Sequence, residues 1–154
     1  MNFKKLTRMR NFKTMFLLLL PAMVLFTSCS KDEDSFARIT VNNTLLVGDR
    51  SDFNGDIDAS FTGNGGSVAR SFIWNNNLNT ADYNADITAS SEGTFRMIVE
   101  DSEGSVVLDR TIDGSTEPDT VGGVTSSGAS GIWTVTIQVT EFTGDGSFSL
   151  SEGI

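Results

Sequence analysis

The sequence predicts an all-β protein, an antiparallel two-sheet β-sandwich of jelly-roll-like type with about eight strands. Three observations predict it. β-Branched and aromatic residues come in short runs that alternate with polar ones. Gly, Asn, Asp and Ser separate those runs at roughly ten-residue spacing, with only 2 prolines in 154 residues. Beyond residue 36, no segment sustains the 3.6-residue apolar period of a helix. Residues 36–154 have the length of one domain with one core.

The first candidate strand covers 36–47, with Ile39 and Val41 on one face, and 48–55 is a polar, acidic loop. Ile57, Ala59 and Phe61 alternate with Asp56, Asp58 and Ser60, as a half-buried strand does. Gly63-Asn64-Gly65-Gly66 reads as a turn. It leads into a third strand, 68–74, with Phe72 and Trp74 on one face and Ala69, Ser71 and Ile73 on the other. The asparagines 75–77, followed by Asn79 and Thr80, form a loop, because asparagine bonds its own backbone in preference to a ladder. Tyr83, Ala85, Ile87 and Ala89 share the inner face of a fourth strand. Phe95, Met97 and Val99 then face Val106, Leu108 and Ile112 across an antiparallel hairpin. Its turn, Asp101-Ser102-Glu103-Gly104, fits a type I turn closed by a left-handed glycine. A Ser/Thr/Gly-rich stretch, 114–131, holds a weak strand near 121–125. The strongest alternation is Trp133, Val135, Ile137 and Val139; Phe142 falls out of phase, which predicts a bulge near Glu141 or the strand's end. Thr143-Gly144-Asp145-Gly146 reads as a turn into a last strand with Phe148 and Leu150.

Ahead of this domain, Lys4, Lys5, Arg8, Arg10 and Lys13 precede an uncharged apolar run, 15–26, and then Thr27-Ser28-Cys29. A basic region, a short apolar core and small residues describe a secretory signal peptide, here ending at a lipidation cysteine. The run is shorter than the roughly twenty residues of a spanning helix and Pro21 interrupts it, so a permanent transmembrane segment is the weaker reading. Thr27-Ser28-Cys29 resembles the bacterial lipobox, with Phe26 where leucine is commoner. Ser30 followed by Lys31, Asp32, Glu33 and Asp34 is similar to the export signal of Bacteroidota-type surface lipoproteins. These resemblances imply removal of 1–28, acylation of Cys29, an acidic tether over 29–35, and an outer-membrane location facing the exterior. The closing pattern, Gly131-Ile132-Trp133 through Phe148-Ser149-Leu150, is loosely similar to secreted sandwich domains of the pre-peptidase C-terminal and carbohydrate-binding kinds.

Composition narrows the chemistry. Without the five leader cations, 6 basic residues face 20 acidic ones, a net charge of about −14. So acidic a surface disfavours nucleic acid as a partner and favours cations. The single cysteine leaves no intrachain disulfide. With no histidine, Ser-His-Asp and Cys-His catalysis and histidine zinc sites are excluded. Lys31, in the tether, is the lone lysine after the leader, which leaves Schiff-base chemistry no carrier on the domain. Carboxylate-based glycoside hydrolysis and oxygen-ligated metals remain.

Three candidate sites follow. Asp52, Asn54 and Asp56 have the alternate spacing of calcium loops, although Ile57 stands where an EF-hand needs glycine; an ordinary Asx-rich turn is the competing reading. Trp74 with Asn75 and Asn77 could stack and hydrogen-bond a sugar ring, provided that Trp74 is exposed; burial would turn it into core. Thr120, in Asp119-Thr120-Val121, resembles the O-glycosylation site of Bacteroidota-type secreted proteins. Cofactors are accordingly none, or calcium. The functional expectation is a lipid-anchored, non-enzymatic binding module, first for glycans. The alternatives are a structural or adhesion subunit of an envelope complex and, remotely, a glycoside hydrolase.

Overall fold

The computed structural model describes residues 34–49 and 52–153, which belong to one compact unit, Asp32–Ile154. Cys29 and the export-signal residues Lys31, Asp32 and Glu33 lie outside the described residues, while Asp34 is exposed. The described residues form nine strands and no helix. They are β1 (Phe36–Val41), β2 (Thr44–Leu45), β3 (Asp52–Phe53), β4 (Ile57–Asn76), β5 (Ala81–Ile87), β6 (Glu92–Glu100), β7 (Val106–Asp113), β8 (Thr120–Val124) and β9 (Gly131–Glu152).

Two of these strands are far longer than a usual strand of about five or six residues, and they organise the rest. β4 and β9 pair antiparallel from Ile57 opposite Leu150 to Asn76 opposite Gly131. One half of this ribbon carries β1 on the β4 side and β5, then β8, on the β9 side. The other half carries β3 on the β4 side and β6, then β7, on the β9 side. All pairings are antiparallel except the two-residue contact of β3 with β4. The result is an all-β sandwich whose two layers are one hydrogen-bonded surface folded over a shared ribbon. Phe61 from one half stacks on Phe95 from the other at 4.4 Å, and Phe148 lies 5.8 Å from Phe95, so the two inner faces meet in one core.

The fold-over has a local cause. A strand passing from one layer to the other must bend, and a bulge bends it while shifting its inward phase by one residue. In β4 the buried positions are Ile57, Ala59 and Phe61 before the bend and Phe72, Trp74 and Asn76 after it. In β9 they are Trp133, Val135, Ile137 and Val139 before, and Phe142, Phe148 and Leu150 after. The β9 shift occurs at Glu141, which has φ 47° and whose N–H is held by Ser67 Oγ at 2.8 Å; this is the bulge that Phe142 predicts. Small residues at the bend serve close approach: a Cβ on Gly66 would meet the Phe36 backbone, and one on Gly146 would meet the Phe61 ring.

Several sequence expectations change accordingly. Gly63-Asn64-Gly65-Gly66 and Thr143-Gly144-Asp145-Gly146 are bends within continuous strands and not turns between strands. The first candidate strand divides at Asn42 and Asn43, whose φ values of 46° and 62° suit a tight hairpin turn. Ala89 lies beyond β5 and is exposed. In the β6–β7 hairpin, Gly104 takes φ 81° and donates its N–H to the Asp101 carbonyl at 3.0 Å, as the turn chemistry predicts. The ladder then slips, Val99 facing Leu108 while Glu100 faces Val106. That slip buries Val107 and leaves Val106 outside.

Candidate binding surface

Trp74 and Trp133 occupy facing positions on the ribbon and are both fully buried, their rings 6.0 Å apart and edge to face. Each indole N–H is satisfied internally, Trp74 donating to the Gly55 carbonyl at 2.7 Å and Trp133 to the Ala129 carbonyl at 2.8 Å. The expected sugar-stacking role of Trp74 is therefore corrected: a ring with no exposed face offers no platform. Its neighbours also have structural duties. Asn76 is buried and closes the turn, donating to the Thr80 carbonyl and accepting from the Leu78 N–H. Asn77 donates both its backbone N–H and its side-chain amide to Glu152, and it accepts from the Asn75 amide.

Part of the acidic loop does meet this strand. Because β3 pairs with Ile73 and Trp74, Asp52 and Asn54 come beside Asn75 along an open cleft of about 300 Å³ whose apolar side includes Phe53, Ile73 and Ile132. Asp56 and Asn77 do not line it. The Asp56 carbonyl instead accepts the Asn42 amide at 3.1 Å. Among the described residues no three acidic, histidine or cysteine side chains gather as a metal site. Thr120 is exposed, but it opens edge strand β8 and does not sit in a loop; its hydroxyl donates to the Ala85 carbonyl at 3.1 Å.

Two carboxylates are held below their usual range, both by structural bonds. Asp101 accepts the Ala129 N–H at one oxygen and the Ser105 and Glu103 N–H groups at the other, all within 3.0 Å. It thereby ties the β6–β7 turn to the segment that leads into β9. Asp109 receives both arms of the Arg96 guanidinium at 2.8 and 2.7 Å. A depressed carboxylate is a poor general acid, so neither has the tuning that glycoside hydrolysis asks of its proton donor.

The open part of the molecule lies elsewhere. β7 pairs with β6 alone and β8 with β5 alone, so each layer ends in an edge on this side. Beside these edges the Ser126 N–H donates to the Val107 carbonyl at 3.0 Å. Val106 and Val124 both face the cleft there, of about 220 Å³, with exposures of 57% and 58%. Sequence reading missed this pair, since Val106 alternates correctly with Leu108 and only the slip at Val107 turns it outward.

No protein-family model and no curated protein matches the chain. A crystal structure of an arabinose-bound α-L-arabinofuranosidase is similar over 62% of this chain at 16% identity, with a TM-score of 0.37. The match covers 19% of that enzyme's chain, so the present chain spans only a small part of it. A likeness this remote carries no inference about activity.

Proposed function

We propose that this chain is an outer-membrane lipoprotein, anchored through acylated Cys29 and facing the exterior, whose β-sandwich is a non-enzymatic docking module for another envelope protein. The leader and the acidic residues behind Cys29 support the address. The observation that carries the docking role is the pair of strand edges at β7 and β8 with Val106 and Val124 exposed between them. An extended segment can add to such an edge through backbone bonds while apolar side chains cover the valines. With a net charge near −14 after removal of the leader, the module suits a partner segment carrying Lys or Arg.

The test is purification of the full-length chain from detergent-solubilised membranes of its own cells. A stoichiometric partner is expected with the natural chain and is lost from the Val106→Glu/Val124→Glu variant. Retention of the same partner by that variant, or its absence throughout, overturns the docking role. Cys29→Ala separately tests the anchor, since it should abolish lipid labelling and membrane retention.

A further inference from the structure

The cavity on the outer face of the β1–β4–β9 layer has a different chemistry from the docking edges. It measures about 510 Å³, within the usual range for small-molecule sites. Register places its side chains in rows. Arg38 lies opposite Thr62, which lies opposite Asp145; in the next row Leu45 lies opposite Thr40, which lies opposite Ser60. Arg38 and Asp145 thus stand on either side of a threonine, their backbones about 10 Å apart at two strand spacings, with hydroxyl-bearing residues between them and one leucine alongside.

Arg38 is set apart from the other described arginines. Arg96 is spent on Asp109, Arg70 donates to the Leu46 and Ala69 carbonyls, and Arg110 donates to the Asp109 carbonyl. Arg38 has no hydrogen-bonding partner among the described residues; its guanidinium rests over the Phe36 ring, 4.9 Å from the centroid. This cation–π contact leaves the fork of N–H donors without an internal acceptor, and such a fork can receive a carboxylate with two parallel bonds. At the far end, one Asp145 oxygen accepts the Thr88 hydroxyl at 2.7 Å, leaving the other able to accept from a ligand hydroxyl.

We propose that this cavity binds a sugar acid, a pyranose bearing a carboxylate. Its carboxylate meets Arg38, its hydroxyls meet Thr40, Ser60 and Asp145, and an apolar patch of the ring lies on Leu45. No aromatic platform is needed, because the charged bond supplies the orientation that stacking gives elsewhere. The acidity of the whole domain does not forbid an anion here. Measured from Arg38, where the ligand carboxylate binds, Asp145 lies two strand spacings across the sheet and Asp58 one strand across and four residues along β4, both beyond the roughly 8 Å Debye length at physiological salt.

Titration calorimetry on the detergent-solubilised full-length chain tests this, with trigalacturonate and triglucuronate as acidic probes and galactotriose as the neutral one. We expect heat with at least one acidic probe and none with galactotriose. Arg38→Ala should weaken the acidic probe by about tenfold or more, and Arg38→Lys, which keeps the charge and loses the fork, should fall between. Arg38 is exposed and carries no internal hydrogen bond, so circular dichroism should show both variants folded. Equal binding of acidic and neutral probes overturns the proposal, as does undiminished binding to folded Arg38→Ala or silence from both acids.

Discussion

The molecule has two conspicuous apolar pairs, Trp74 with Trp133 and Val106 with Val124, and they have opposite fates. The tryptophans face one another on the paired ribbon, beneath covering loops whose carbonyls take their N–H groups. Both indole N–H groups are matched and neither ring leaves an exposed face for a ligand. The valines stand where two layers each run out of strands, and nothing among the described residues covers them. Large aromatic side chains near asparagines suggest a binding face in a sequence; here it is the smaller residues at unfinished edges that are left open.

Breaking the closed pair should have the largest effect. Trp133→Ala removes a fully buried indole and one of the donors to the Ala129 carbonyl, and should lower the unfolding free energy by about 3–5 kcal/mol in urea titration. Gly146→Ala puts a methyl against the Phe61 ring and the Asp86 carbonyl at the bend, costing about 1–3 kcal/mol by the same measurement.

The carboxylates sharpen the comparison through pH. Asp101 and Asp109 titrate below the ordinary value of 3.8 in the folded protein, so each contributes stability that is present above that value. That contribution is lost as pH falls through the lower folded values. Melting temperature followed from pH 7 down should therefore decline in acid, and Asp101→Asn should be less stable at neutral pH with a shallower decline. The smallest effect on the fold belongs to the open pair: Val106→Glu/Val124→Glu should change stability by no more than about 0.5 kcal/mol per site, while removing the proposed partner.

Much of the fold was legible because alternation reports burial directly. Ile57, Ala59 and Phe61, and the run from Trp133 to Val139, are inside as their period requires. Phase was legible too, in the displacement of Phe142 that marks the bulge at Glu141. What the sequence hid was connectivity. A glycine-rich tetrad permits both a reversal and a bend, and only the partner across the ladder decides between them; for Gly63 to Gly66 that partner is β9, about eighty residues away. The candidate site was less legible. Trp74 shares a face with buried Phe72, a fair sign of core, whereas the Asn run beside it suggested a wet surface until Asn76 proved to be an internal tie. Arg38 gave no local signal beyond being a cation in an acidic domain, because its neighbours in the cavity come from other strands.

The shared ribbon also decides how the molecule comes apart. In a sandwich of two separate sheets, one sheet can loosen while the other holds, giving two cooperative units with different opening energies. Here β4 and β9 are central in both layers, so neither layer can lose its middle without withdrawing it from the other. Amide exchange along β4 and β9 should therefore be slow on both sides of the bend and collapse together at one denaturant concentration. A protein that opens all at once or not at all offers a protease few partial openings to catch.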